Sequence, residues 1–586
     1  MRNCTQQSCK SGFLLFKKIA FILFVFIQAN PLSAHSLEIS NISVEQEAAS
    51  KASIQFSLNW QDGWHYNSIS PGNYDAVWIF AKYLATDGSW RHIKVNGFIP
   101  HSAANIQLPS DNNGVFISPY ISDVIDIFEG DVSLQDIKLR WNYAQAEIQP
   151  MIPYQVRIYG IEMVYIPQAS FYAGADSLEA GDAAFFDFDS LGTEGFATTD
   201  YTYIMNPFPK TLIMKDKATA SGGFPQVNTS LQYQPSSNKF PNGYKGFYCM
   251  KYEISQQQYA DFLNTLIPMG TDELRHCDPA AELGHDCSRI KRYTLIFDTD
   301  MQKYVTEYPN LPIEYLGWDD GAAYADWAAL RPMTELEYEK ICRGPGNEYE
   351  PLGLNYDYAY GEGEPKDNVY EITWVNNNGE SYDSIINLES NENNIIYRKT
   401  WAHVEICEDE DGEELIGFFQ NGTFAQQLTQ SGDSLTRKNT GASYYGVMEM
   451  SGNLNERCIG IKERWMSTKP DADTTTNEYD WPEENTPSCG ATGVTFITTD
   501  INGLTKYYKD CPSKYKGSNG NGELGEDGYA NNTDWPKEKN GNGAGSMNRG
   551  GRWNQQIQRC YVADRMALSP ASGRTHESTM RFVRTF

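Results

Sequence analysis

The chain has 586 residues, of which 40% are hydrophobic and 13% aromatic, and its formal net charge is -29 at pH 7. This length exceeds what a single core usually supports and predicts two or more domains, while the apolar content excludes wholesale disorder. The negative charge would repel phosphate backbones and anionic headgroups, so it excludes nucleic acid as a partner. The acidity fits either solubility outside the cell or cation binding by clustered carboxylates.

Residues 1–34 are predicted to be an export signal. Lys17 and Lys18 precede an apolar run over 19–27, and small residues follow up to Ala34. This is the layout of a secretory signal peptide, and the run is shorter than the roughly 20 residues that a bilayer span needs. We expect a protein that is secreted, at the cell surface or in the periplasm, with no membrane span after signal removal. An uncleaved anchor stays open, because apolar residues also precede the lysines.

Cysteine usage predicts at least one free thiol. Two of the 11 cysteines lie in the signal segment, so an odd number remains for an oxidising compartment. Cys277 with Cys287, and Cys489 with Cys511, are close enough in sequence to bridge loops, although sequence does not fix the pairing. We find no CxxC pair or Cys/His cluster that suggests zinc, and the scattered histidines give no three-histidine iron site.

The region 35–159 is predicted to form an antiparallel β-sandwich. Runs of alternating apolar residues occupy 52–60, 75–84, 137–144 and 154–161. Period-two alternation rich in Val, Ile, Phe, Tyr and Trp is typical of strands, and the turn-rich loops between the runs favour a sandwich. We expect this region to be a spacer or adhesion module.

Three helices are predicted further along the chain. Ser255 can cap the first, and Thr334 with Glu337 forms a capping box for the third, just after Pro332 ends the second. Apolar residues recur at helical spacing in the first two, at Tyr259, Phe262 and Leu263 and at Trp318, Ala322, Tyr324 and Trp327. These residues are typical of packing surfaces and do not indicate chemistry.

Four strings and a terminal one carry a resemblance to a known family. They are IEMVYIPQASFYAG, FYCMKYEISQQQYADFLN, LGWDDGAAYADWAALRPMTELEYEKICRG, GASYYGVMEMSGNLNER and NRGGRWNQQIQRCYVADR. Together they resemble the formylglycine-generating enzyme, or sulfatase-modifying factor, family, over roughly residues 160–586 with polar insertions at about 346–439 and 515–546. The resemblance implies an irregular α+β domain related to C-type lectin folds. The predicted fold class is therefore multi-domain, with an N-terminal antiparallel β-sandwich followed by this domain.

The resemblance implies a structural calcium site at Glu449, Gly452, Leu454 and Glu456. In the family this turn holds calcium through side-chain and carbonyl oxygens, and calcium prefers several hard oxygen ligands. The alternative is that Glu449 is merely exposed and that Glu456 pairs with Arg457 or another base.

The resemblance also implies a copper site, and here the sequence departs from the family. The enzyme uses two cysteines, a few positions after its Gly-Gly pair, to bind copper and oxidise a substrate cysteine to formylglycine with oxygen. Thiolates suit this role because soft Cu(I) prefers sulfur. The two positions correspond here to Gln555 and Cys560, and glutamine cannot replace a thiolate. Cys458 or Cys342 would have to approach Cys560 to complete the site.

Three functions stay open at this point. The favoured one is a secreted, catalytically silent binding or structural protein that presents loops to an extracellular protein or glycan. Its predicted ligand-binding residues are Arg552, Trp553, Gln555, Gln556 and Arg559. Ordinary loop packing would also explain these residues. The alternatives are a copper-dependent formylglycine-generating oxidase with Cys560 as its catalytic residue, and a self-assembling subunit of an extracellular surface structure.

Overall fold

The structure is a computed structural model. It describes residues 37–66, 72–121, 127–174, 185–187, 201–204, 212–214, 232–233, 237–275, 292–345, 358–361, 363, 365, 372–377, 380–385, 388, 393–397, 407–408, 414–415, 418–467, 494–499, 505–536, 546–553, 555–565, 574 and 578–586. The predicted signal, Cys277, Cys287 and Cys489 lie outside these residues. Among the described residues, no helix has the length and apolarity to cross a membrane.

Short strands dominate the secondary structure. In the N-terminal part they are β1 (Glu38–Ala48), β2 (Lys51–Tyr66), β3 (Asn73–Leu84), β4 (Trp90–His92), β5 (Val95–Phe98), β6 (Ala104–Gln107), β7 (Val115–Pro119), β8 (Ile127–Asn142) and β9 (Val156–Ile166). The next are β10 (Phe171–Gly174), β11 (Phe185–Asp187), β12 (Tyr201–Ile204), β13 (Leu212–Met214), β14 (Gln232–Tyr233), β15 (Phe247–Met250), β16 (Ile296–Asp298), β17 (Lys303–Val305), β18 (Arg331–Pro332), β19 (Ile372–Asn377), β20 (Glu380–Ile385), β21 (Cys407–Glu408) and β22 (Glu414–Leu415). The last are β23 (Asn455–Ile459), β24 (Lys462–Ser467), β25 (Val494–Thr499), β26 (Thr505–Pro512), β27 (Ser546–Arg549), β28 (Ser578–Thr579) and β29 (Phe582–Arg584).

The described α-helices are few and short. They are α1 (Gln256–Leu266), α2 (Trp318–Trp327), α3 (Glu335–Arg343), α4 (Thr423–Ser431) and α5 (Arg437–Thr440). Single 3-10 turns lie at Tyr143–Gln145, Ile267–Met269 and Ile557–Cys560.

The three predicted helices are confirmed. Ser255 accepts a hydrogen bond from the Gln258 amide of α1, and the Gln258 side chain accepts one from the Ser255 amide, which is a complete capping box. Thr334 and Glu337 make the same reciprocal pair at the start of α3. Pro332 lies in β18, between α2 and α3.

One antiparallel sheet of 12 strands runs through both halves of the chain. Its order is β18-β29-β15-β9-β3-β2-β8-β5, with β1 beside β2, β4 and β7 beside β3, and β6 beside β7. Strand β9 joins the halves, because it pairs with β3 on one side and with β15 on the other. The sheet-rich architecture agrees with the predicted β-rich multi-domain class. A separate N-terminal sandwich is not confirmed, since its strands share this sheet. The proposed boundary between residues 159 and 160 falls inside β9, and the division into domains stays a prediction.

Strand β3 shows how one sheet serves two cores. Successive side chains of a strand point to opposite faces, so a strand covered on both faces is apolar without interruption. On one face Ala76, Trp78 and Phe80 join the core that contains α1 and α2. On the other face Val77, Ile79 and Ala81 join a core built from N-terminal strands. The continuous apolar run of β3 is therefore explained by its central position.

Polar contacts also tie the two halves together. The Trp78 indole donates to the Ala328 carbonyl at 2.9 Å, just after α2. The Arg584 guanidinium pairs with Asp111 at 2.6 Å and lies over the Trp78 ring, 4.1 Å from its centroid. The N-terminal strands are thus packed directly against the C-terminal half.

Candidate functional site

The turn from Glu449 to Glu456 is built on left-handed backbone. Glu449, Gly452 and Asn453 all have positive φ, at 53°, 85° and 61°. At Gly452 a Cβ atom would collide with the Ile396 carbonyl oxygen, so glycine is required there. The turn reverses the chain and leads it directly into β23.

The structure brings this turn together with the terminal segment from Arg549 to Arg565. The Gly452 amide donates to the Gly550 carbonyl at 2.7 Å, and the Trp553 amide donates to the Asn453 carbonyl at 2.9 Å. The Ser451 hydroxyl donates to the Cys560 carbonyl at 2.9 Å. The two groups of residues that the sequence singled out are therefore one site, which we call the turn site.

Helix α3 anchors the terminal segment by buried ion pairs. The Arg565 guanidinium donates to both carboxylate oxygens of Glu335, at 2.7 and 2.8 Å. Arg549 pairs with Glu339, one helical turn further along α3. All four side chains are buried. Bidentate pairing of this kind fixes orientation as well as distance, so the terminal segment is held in one position.

The carboxyl group of Glu449 is buried and only half satisfied. Its Oε1 accepts from the Gly422 amide at 2.8 Å, whereas Oε2 has no hydrogen-bond partner among the described residues. Burial raises the pKa of Glu449 to about 7, despite the opposing effects of Arg581 and the Gly422 amide. The neighbouring Asn421 Oδ1 is a second buried acceptor without a partner in the described chain. Unpaired buried acceptors of this type suit a cation.

Glu456 is engaged by an internal cation. Both of its carboxylate oxygens accept from the Arg581 guanidinium, at 2.9 to 3.1 Å. Arg581 also donates to the carbonyls of Met250, Lys251 and Met448. A calcium ion at Glu456 would compete with this arginine, as the alternative of pairing with a base anticipated. Of the predicted calcium ligands, Glu449 therefore has a carboxylate oxygen without a partner among the described residues, whereas both oxygens of Glu456 are engaged, and calcium binding stays a prediction.

Glu253 is a member of the turn site that the sequence analysis missed. Its carboxylate oxygens accept from the Asn453 side chain at 2.6 Å and from the Leu454 amide at 3.3 Å. Burial, together with the nearby Glu456 carboxylate, raises the pKa of Glu253 well above its usual range. Glu253 lies two residues before Ser255, the cap of α1, within one of the strings that carry the family resemblance. Only the fold brings it into contact with the turn.

The predicted ligand-binding residues differ in their access to solvent. Trp553 is only 7% exposed and packs in an apolar cluster with Leu454. Arg552, Gln555 and Arg559 are half-buried, and Gln556 is exposed. Arg559 pairs with Asp564 at 3.1 Å. The ring of Trp553 therefore contributes to packing, and the surface of this segment is polar.

Four buried cysteines of the described chain fall into two groups. Cys560 is a buried free thiol in a cluster with Tyr358, Tyr360 and Tyr561. Cys249, Cys342 and Cys458 are also free, but they lie in a different buried cluster. Burial raises the pKa of all four thiols, so they are neutral at pH 7. In the described residues, no group of three or more His, Cys, Asp or Glu side chains is arranged to hold a metal ion.

Comparison with known proteins agrees with the geometry. The model of the Sulfatase-modifying factor enzyme 1-like domain matches residues 214–586. The formylglycine-generating enzyme of Thermomonospora curvata is 40% identical over 57 residues, which cover 8% of this chain and 19% of that protein. The enzyme of Bos taurus is 37% identical over 60 residues, covering 9% and 16%, and that of Mus musculus 38% over 55 residues, covering 8% and 15%. The chain thus aligns with less than a fifth of each of these curated relatives. Because the domain model matches more than half of the chain, this protein belongs to the formylglycine-generating enzyme, or sulfatase-modifying factor, family.

Proposed function

We propose that this chain is a secreted, non-catalytic binding or structural member of the family that presents loops to an extracellular protein or glycan. The proposal rests on the residues at the two positions where the resemblance implies copper-binding thiols. Gln555 stands at the first position, and the thiol of Cys560 at the second is buried among tyrosines. A Cu(I) site with two thiolates has only one of them here.

The other thiols support the same proposal. Cys342 on α3 or Cys458 on β23 would have to approach Cys560, but both pack in the cluster that contains Tyr338, whereas Cys560 packs in another. The thiolate is the form that binds metal and attacks disulfides, and burial disfavours it at Cys560. A copper-dependent oxidase stays the alternative, and it requires the terminal segment to rearrange.

Copper affinity tests this proposal. We expect the purified protein to bind Cu(I) no more tightly than its Cys560→Ser variant in a competition titration with a chromophoric Cu(I) chelator. The Gln555→Cys variant is the matched gain-of-site control and should bind more tightly than both, because it restores the second thiol. Tight binding by the parent chain that Cys560→Ser abolishes would overturn the proposal.

Calcium binding at the turn site is a second, smaller proposal. It is supported by the unpaired acceptors at Glu449 and Asn421, and opposed at Glu456 by Arg581. We expect calcium to raise the melting temperature by a few degrees, since a ligand that binds only the native state stabilises it. Glu449→Gln should abolish the rise and the exposed Glu129→Gln should not. An identical melting temperature with calcium and with chelator would contradict this.

A further inference from the structure

A cavity lies at the junction of the two halves of the chain, beside the turn site, with Tyr252 and Met448 in its lining. Its volume is about 680 Å³, within the range of roughly 300–1,000 Å³ that small-molecule sites occupy. The N-terminal wall comes from Trp64, Tyr66 and Glu129, at the ends of β2 and β8. The opposite wall comes from α4, α5 and the loop that carries Tyr444, and Lys251 lies between the walls. We call this space the junction cavity.

Direct contacts set the distance between the two walls. Gly446 has φ of 88°, and a Cβ atom there would lie 2.8 Å from the Trp64 ring, so the backbone and the indole are in close contact. The Asn73 side chain donates to the Tyr445 carbonyl at 3.3 Å, and Thr429 donates to Asp62 at 3.4 Å. The cavity is therefore a product of the packing between the halves.

Three of the five aromatic rings that line the junction cavity lie beside cations of the protein itself. The Lys251 ammonium lies 4.9 Å from the Trp64 ring centroid and 5.4 Å from that of Tyr252. The Arg437 guanidinium lies 5.4 Å from the ring centroid of Tyr444. A cationic ligand gains from aromatic rings chiefly through their negative faces. Because internal cations already lie at Trp64, Tyr252 and Tyr444, a cationic ligand is disfavoured at these three rings.

Anionic ligands are disfavoured by the opposite charge. Asp62 and Glu129 are exposed on the N-terminal wall, and the chain carries a formal net charge of -29. The Lys251 ammonium is balanced by Glu162 at 3.3 Å and Asp75 at 3.9 Å. An anion entering the cavity would meet two carboxylates, a lysine whose charge is already balanced, and Arg437, whose guanidinium already donates to the carbonyls of Cys342 and Ala359.

The remaining chemistry of the lining is rings beside hydroxyl, amide and carboxylate groups. The amide and hydroxyl groups are contributed by Gln61, Asn73, Gln426, Thr429, Ser434 and Thr436. The buried hydroxyl of Tyr445, another lining residue, has no hydrogen-bond partner among the described residues. We propose that the junction cavity binds a short neutral oligosaccharide, whose C–H face packs on the half-buried ring of Tyr66 and whose hydroxyls bond to the polar groups.

This inference rests on the proposed binding role, for which it names a site and a ligand class, but not on the chemistry of Cys560. Failure to find oligosaccharide binding would leave the copper proposal standing, and failure of the copper proposal would leave the oligosaccharide site standing. A positive copper titration would overturn the non-catalytic proposal and leave the junction cavity untouched.

Calorimetric titration of the full chain tests the inference with named probes. The neutral probes are maltotriose, cellotriose and N,N′-diacetylchitobiose, and sialyllactose and choline are the anionic and cationic ones. We expect saturable binding of at least one neutral probe, and none of the charged probes. Ser434→Trp should weaken that binding by about tenfold or more, because a bulky side chain at this exposed lining position fills the cavity.

Ser431→Trp is the matched control, three residues away at the exposed end of α4 and outside the lining. It should bind as the parent chain does, and equal melting temperatures of the two variants will show that both fold. Absence of binding by all three neutral probes, preference for a charged probe, or equal weakening by both tryptophans would overturn the inference.

Discussion

The turn site and the junction cavity differ in how their polar groups are satisfied. At the turn site the Arg581 guanidinium pairs with the Glu456 carboxylate, and the Trp553 ring is buried in an apolar cluster. The junction cavity is instead a space of about 680 Å³ whose lining includes exposed polar side chains such as Asp62, Thr429 and Ser434. The family features therefore stabilise the scaffold in this chain, and the space for a ligand lies where the N-terminal strands meet that scaffold.

The largest effect is expected from breaking the ion pair at the turn site. Arg581→Met leaves the Glu456 carboxylate buried without its partner, which should lower the free energy of unfolding by about 3–5 kcal/mol. Arg91→Ala is the control, because the Arg91 and Asp87 side chains are 33% and 39% exposed, and exposed pairs contribute about 0–1 kcal/mol. Urea unfolding measures both. Similar losses in the two variants would contradict the distinction between a closed site and a solvated surface.

Apolar truncation in each region should separate them again. Trp553→Ala removes a ring that is 7% exposed, and we expect a loss of about 2–4 kcal/mol in the free energy of unfolding. Leu435→Ala, at a position in the cavity lining that is 41% exposed, should change it by about 0.5 kcal/mol or less. Thermal unfolding of both variants provides the comparison. A small loss for Trp553→Ala would mean that this ring faces a ligand and not the core.

A smaller effect concerns the pH dependence of stability that comes from a buried carboxyl group on α1. Burial raises the pKa of Asp261, on α1, to about 7, and its Oδ2 has no partner in the described chain. A carboxyl whose folded pKa is raised stabilises most below its unfolded pKa, and this contribution is lost as pH rises through about 7. Stability should therefore fall by about 2–3 kcal/mol between pH 5 and 8 through this group. In the Asp261→Asn variant the fall in the free energy of unfolding should be smaller by that amount. If the variant and the parent chain lose the same free energy between pH 5 and 8, Asp261 is not the source of the effect.

Local signals in the sequence predicted part of this structure well. Ser255 and Thr334 cap α1 and α3 by contacts within four residues, so the sequence alone contains the information. Glu456 and Arg581, in contrast, are 125 positions apart and meet only because β28 pairs with β23. At the junction cavity Trp64 contacts Gly446, and the hydrophobic periodicity of the sequence does not predict a contact between residues so far apart in the chain. The strand β9 was predicted, but its pairing with strands of both halves was not.

Conversion of a sulfatase peptide tests the central proposal most directly. The parent chain, supplied with Cu(I) and oxygen, is incubated with a cysteine-containing sulfatase peptide, and mass spectrometry measures the formylglycine product. We expect no product above the level of the Cys560→Ser variant, because Gln555 leaves the site with one buried thiol. Formylglycine that forms with the parent chain and disappears with Cys560→Ser would show that the protein is an oxidase.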